Sequence, residues 1–180
     1  MIWLSTSTIA RLRDQLRATG QRVSVALGDG QPLTPEAAEL ATAKAEYGPI
    51  SEAMYLMMSA DGKITSDERE VLKGALRKLS ADAVRSVHIE ALLDQAAKQV
   101  GEHGRDARLR EVISVLHEDP ARAEVAFVLA AAIAFADNAI ADEENETLTA
   151  FAEGLGIDEG RANELLDSVE ADLADRPQAG

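Results

Sequence analysis

Residues 60–72 read Ala60-Asp61-Gly62-Lys63-Ile64-Thr65-Ser66-Asp67-Glu68-Arg69-Glu70-Val71-Leu72, and residues 136–148 read Ala136-Asp137-Asn138-Ala139-Ile140-Ala141-Asp142-Glu143-Glu144-Asn145-Glu146-Thr147-Leu148. Each position of the first stretch has its counterpart 76 residues later, and six of the thirteen pairs are identical. Asp67 and Glu143 differ but share their charge. Both stretches join two segments of helical pattern. A constant offset across a helix–loop–helix unit points to duplication. Two copies are too few for a solenoid and suit a bundle with pseudo-twofold symmetry.

Each position of the motif has a physical role. Gly62 and Asn138 stand at the same place, and these residue types best tolerate positive φ. Ile64 and Ile140 can turn inward and pin their loops to the core. Asp61 and Asp137 sit on the turn with their side chains free. Glu68 and Glu144 fall in the first turn of the next helix, where an acid complements the helix dipole, and Thr65 with Glu68 fits a capping box. Capping is a sufficient account of either copy alone. If the two loops meet at the pseudo-twofold axis, Asp61, Glu68, Asp137 and Glu144 converge, and four carboxylates repel one another unless a cation binds between them. The half-motif Asp-x-x-Ile-x-x-x-Glu matches the end of an EF-hand loop, but that loop's first and third ligand positions would be Met57 and Ser59, or Ile133 and Phe135. None of these supplies a carboxylate, so an EF-hand is rejected and any ion is held by both half-motifs together. Oxygen-only donors favour Ca²⁺, Mg²⁺ or Mn²⁺, with Zn²⁺ through carboxylates as a further option.

Outward from the repeat the chain reads as helix. Apolar spacing predicts helices over about 6–18, 66–79, 105–117 and 142–155. Thr34-Pro35-Glu36 starts a helix that Gly48-Pro49 is expected to end, with Ile50 to Ser59 as a separate one. Ser80 is expected to cap a helix over about 82–101 with Val84, Val87, Leu92, Ala96 and Val100 inward. Asp119-Pro120 starts a helix to about Ala136, apolar on every side and therefore the central, most buried one. Asp158 caps a last helix. Residues 20–34 are the weakest stretch, a short hairpin or a loop. The expected fold is all-α, a compact single-domain bundle of about seven to nine helices with two pseudo-symmetric helix–loop–helix repeats. Residues 1–34 form a helix-and-loop extension, 35–173 the helical domain and 174–180 a frayed tail.

Composition limits the function classes. The 180 residues carry 32 acids and 18 bases, net −14, with no cysteine. That excludes disulfides, thiolate zinc sites and thiol catalysis. It also disfavours nucleic acid and anionic lipid, both of which need Lys and Arg. Residues 137–180 hold 13 acids against 2 bases, so most of the net charge lies in the last quarter. The longest apolar run, Val125 to Ala136, is too short to span a bilayer. No basic residue precedes the apolar start Met1-Ile2-Trp3-Leu4, so a cytoplasmic protein without membrane insertion is expected. No Glu-x-x-His, zinc-hydrolase or phosphate-loop motif occurs, and the three histidines lie outside the repeat. An enzyme is not expected.

The paired Asp61-Gly62-x-Ile64-x-x-x-Glu68 and Asp137-Asn138-x-Ile140-x-x-x-Glu144, in an all-helical chain, resemble the TerB-like tellurite-resistance family over about residues 45–170. The resemblance implies an all-α fold of two similar halves with acids in both loops implicated in divalent-metal binding. It carries Asp61, Glu68, Asp137 and Glu144 over as ligands, with Asn138 in the place of the usual glycine. It also implies a setting beside partner domains in stress-response and membrane-associated systems. Tellurite is an oxyanion that carboxylates repel, so direct capture would need a bridging metal. The function expected is a non-enzymatic, metal-binding helical module whose cation organises a surface for a protein partner. The alternative is a metal-free helical adaptor whose acids only cap helices. A metal-assisted hydrolase ranks third, since it needs open coordination positions and a substrate cleft.

Overall fold

The computed structural model describes residues 4–18, 34–59, 64–135 and 142–175. They form eight α-helices: α1 (Thr6–Ala18), α2 (Pro35–Met58), α3 (Ser66–Leu79), α4 (Ser86–His103), α5 (Arg105–His117), α6 (Pro120–Ala134), α7 (Asp142–Gly154) and α8 (Glu159–Ala174). No strand occurs among the described residues, as an all-α fold requires. The stretch expected to be a hairpin or loop falls almost wholly on residues 19–33, outside the described residues, as do Trp3 and residues 176–180.

The architecture follows from α6. Asp119 caps it, its carboxylate accepting from the Arg122 N–H at 3.3 Å, and Pro120 occupies the first turn, where a missing N–H costs nothing. Every residue from Val125 to Ala132 is buried. A helix buried at eight successive positions must be covered on all sides, and α1, α2, α5, α7 and α8 pack around it. Its alanines let neighbouring axes approach closely, so aliphatic side chains fill the interior with little aromatic help. The N-terminal extension shares this core: Leu4, Ile9 and Leu12 of the first segment are buried in it. The Ser5 N–H also donates to Asp172 of α8 at 3.0 Å.

The second long helix corrects an expectation. Gly48-Pro49 does not divide it; α2 runs unbroken through Pro49 to Met58. Proline cannot donate to the carbonyl four residues back, but the glycine before it has no Cβ to clash with the ring. Ser51 Oγ donates to the Gly48 carbonyl at 2.9 Å. Burial of Ala43 on one side of the proline and Ile50, Ala53 and Met54 on the other holds the helix together against α4 and α6. Tertiary packing here outweighs the breaker signal.

The end of α3 corrects another. Ser80 closes α3 rather than starting α4, which begins at Ser86 with no side-chain cap. The Asp82 N–H donates to the Arg77 carbonyl at 2.9 Å and the Ala81 N–H to that of Lys78 at 3.1 Å, a Schellman ending. Ala81 and Asp82 take positive φ, 52° and 59°. Val87 lies about half a turn around α4 from Ala96 by the 3.6-residue period and is 58% exposed, while His88, Ile89, Leu92, Leu93, Ala96 and Val100 face in. The end of α6 comes two residues early, at Ala134. The end of α7 uses the same Schellman pair, Ile157 N–H to Ala152 and Gly156 N–H to Glu153, with Gly156 at φ 75°.

Two-pronged ion pairs tie the layers. Arg108 of α5 grips Glu52 of α2 at 2.7 and 2.9 Å, with both side chains largely buried. Arg161 of α8 holds Glu124 of α6 at 2.8 and 2.9 Å, and Gln15 of α1 donates to the same carboxylate at 2.7 Å. Arg161, then Gln15, keep Glu124 below the usual glutamate range against the opposing effect of burial. On the surface, Lys73 and Arg69 of α3 do the same for Glu90 of α4.

Two outcomes follow. Ala81→Gly relieves a left-handed alanine and should raise stability by up to about 1 kcal/mol, whereas Gly156→Ala should lower it by about 1–2 kcal/mol or more. At Gly156 a Cβ would also meet the His117 ring at 2.7 Å. Urea melts of the two variants would show opposite shifts. A carboxylate held low stabilises the fold fully above the unfolded value near 4.5 and loses that contribution as pH falls through its folded value. Glu124→Gln should therefore be destabilising at neutral pH, and its deficit against the parent should shrink progressively below pH 4.5.

Candidate metal-binding loops

The two acidic loops are framed identically. α2 ends at Met58 and α6 at Ala134; α3 begins at Ser66 and α7 at Asp142. Both boundaries differ by the same 76 positions that relate the sequence repeats. Burial follows the register into the next helices: Leu72 and Leu148, Ala75 and Phe151, Leu76 and Ala152, Leu79 and Leu155 are all buried.

At the first loop the chain leaves α2 through Ser59, whose N–H donates to Tyr55 at 3.0 Å. Ser59 is fully buried and its Oγ has no hydrogen-bond partner among the described residues. Arg105, the first residue of α5, reaches across to this helix end. Its Nε donates to the Ser59 carbonyl at 3.0 Å, and its Nη2 donates to that of Leu56 at 3.1 Å. A guanidinium on carbonyls that the helix itself leaves unpaired satisfies them and complements the negative end of the dipole. Nothing in the sequence singles out Arg105, because the carbonyls it meets lie 46 and 49 residues away.

The chain enters α3 through the expected capping box. The Glu68 N–H donates to Thr65 Oγ1 at 3.3 Å, while the Thr65 N–H and hydroxyl donate to Glu68 Oε2 at 2.6 and 2.8 Å. Both bonds received by the carboxylate fall on Oε2, so capping and ligation through Oε1 are chemically compatible. Ile64 packs against the core as expected. At the second loop Ala141 stands where Thr65 stands in the first. No hydroxyl is available there, so the reciprocal box cannot form. Glu144 occupies the third position of α7, as Glu68 does in α3.

Of the four candidate ligands, Glu68 is the one whose side chain is described. Asp61 and Asp137, with Gly62, Asn138 and Ile140, lie outside the described residues, and Glu144 is described in its backbone alone. Among the described residues no group of three or more His, Asp or Glu side chains is gathered to hold a metal ion. Of the histidines, His88 is buried on α4, His103 lies beside the Gln99 carbonyl at 3.2 Å, and His117 abuts Gly156. No helix among the described residues is long and apolar enough to cross a membrane.

The sequence model of the family described as Tellurite resistance protein TerB matches residues 51–167. That interval begins in the second half of α2, includes both acidic loops and ends within α8; α1 and the first half of α2 precede it. No curated protein and no solved structure matches the chain. With an all-helical fold and well over half of its length inside the match, the chain belongs to the TerB tellurite-resistance family.

Proposed function

We propose that this TerB-family chain is a non-enzymatic helical module that binds one divalent cation between its two acidic loops. Asp61, Glu68, Asp137 and Glu144 are the ligands, and the locked loops shape a surface for a protein partner in the cytoplasm. The observation that carries the reading is the common frame: two loops of equal length, each with an aspartate third after the preceding helix and a glutamate at the third position of the next. Capping explains Glu68 well but Glu144 less well, because Ala141 offers no hydroxyl to complete a box. A shared ion gives both glutamates one role. All-carboxylate donors suit Ca²⁺, Mg²⁺ or Mn²⁺ first and Zn²⁺ after them. Tellurite itself, an oxyanion, is repelled by such a cluster and reaches it only through a bound metal.

The Thr65–Glu68 box favours a second reading, a metal-free adaptor in which the acids serve helix starts alone. Thermal melts with each of the four cations and with chelator separate the two. An ion at a hundred times its Kd should add about 2.7 kcal/mol, a rise of roughly 5–10 °C for a chain of this size. Asp61→Ala and Asp137→Ala should each abolish the rise, while Thr65→Ala should lower the baseline melt and leave the rise in place. A melt that no cation moves assigns the acids to capping.

A further inference from the structure

Among the described residues, Ser59 Oγ is the one enclosed side-chain polar atom without a hydrogen-bond partner, and Ser59 is 0% exposed. An enclosed hydroxyl gives up its water, and the loss is offset only when another group takes the water's place. Hydroxyls elsewhere in the chain find that group one turn back: Thr42 donates to the Ala38 carbonyl, Ser51 to Gly48, Ser80 to Arg77 and Thr149 to Asn145. At Ser59 the same carbonyls are occupied. That of Leu56 receives two N–H bonds from Arg105, at 3.1 and 3.3 Å, and that of Tyr55 receives the N–H of Ser59 itself at 3.0 Å. Arg105 spends its remaining contact here on the Ser59 carbonyl and leaves the hydroxyl oxygen unmet.

The place of Ser59 in the chain says what such an oxygen serves. It follows the last residue of α2 and stands two residues before Asp61. In the twelve-place frame of a calcium loop that puts Glu68 last, Ser59 is third, Asp61 fifth and Gly62 sixth, where such loops need glycine. The third and fifth places present oxygens to the ion in those loops. Met57, at the first place, has no oxygen to give, so a complete calcium loop stays ruled out and the missing donor must come from the second loop. There the counterpart of Ser59 is Phe135, which packs against the core.

We infer that Ser59 Oγ is a fifth protein oxygen on the cation proposed for the loops, an uncharged one supplied by the first loop alone. The inference rests on the shared-ion reading and adds a preference to it. Ca²⁺ gathers more oxygens than Mg²⁺ or Zn²⁺ and accepts uncharged ones, so a buried hydroxyl beside the carboxylates favours Ca²⁺. The four carboxylates outweigh the guanidinium of Arg105.

Calorimetric titration of the full chain with Ca²⁺, Mg²⁺, Mn²⁺ and Zn²⁺ tests it on the parent, on Ser59→Ala and on Ser59→Cys. Ser59→Ala should weaken Ca²⁺ binding about tenfold and Mg²⁺ binding less. Its melt in chelator should stay level or rise, because the substitution breaks no hydrogen bond. Ser59→Cys keeps the size of the side chain and exchanges a hard oxygen for a soft sulfur. It should lose Ca²⁺ affinity and take up Cd²⁺ with a thiolate-to-metal absorption band, which Asp61→Ala in the same chain should remove. The chain has no cysteine of its own, so that band reports position 59 alone. A parent that binds no cation removes the two-loop reading and this inference with it. A parent that binds, with Ser59→Ala holding the ion as tightly or Ser59→Cys giving no band, overturns this inference alone.

Discussion

A helix that cannot face water anywhere organises this molecule. Eight successive residues of α6 are buried, and no amphipathic partner arrangement on one side could satisfy it. Five other helices are drawn around it, α1 included, so the segment preceding the family match is part of the same core. The alanines of α6 are what make the crowding feasible, because small side chains let helices approach closely without overpacking. The unbroken passage of α2 through Pro49 is a consequence of the same demand: the core needs Ala43 and Ile50 on one continuous surface.

Helix ends carry the rest of the design. Carbonyls left unpaired at a helix C-terminus must find donors, and two of these ends are served by arginines from other helices. Arg105 of α5 serves α2, and Arg13 of α1 serves α3, donating to Lys78 at 2.7 Å and Leu79 at 3.3 Å. Arg105 thereby pins the end of α2 and Ser59, the last described residue before the first acidic stretch.

Much of this was legible in the sequence and the remainder has identifiable reasons for being hidden. The all-helical fold, the central helix and the caps at Thr34, Thr65, Asp119 and Asp158 are local signals, and local signals survive folding. At Pro49 and Ser80 packing overrules the local rules. Proline breaks a helix unless buried faces on both sides hold it, and Ser80 resembles an N-cap although its helix ends behind it. The ties made by Arg105 and Arg13 cross long sequence separations, and no local pattern encodes them. At the candidate site, the sequence marks Glu68 both as a capping acid and as a candidate ligand. Its capping bonds occupy Oε2, and Asp61 and Asp137 lie outside the described residues.

The strong acidity of the chain divides between two places. A small matched set of carboxylates falls in the two repeated sequence stretches, and a larger number lies along α7 and α8. The two loops are proposed to make one cation site, not two. Native mass spectrometry of the intact chain titrated with Ca²⁺, Mg²⁺, Mn²⁺ and Zn²⁺ tests it directly. One retained ion per chain at saturation is the predicted result; two ions per chain, or none with any of the four, would contradict it.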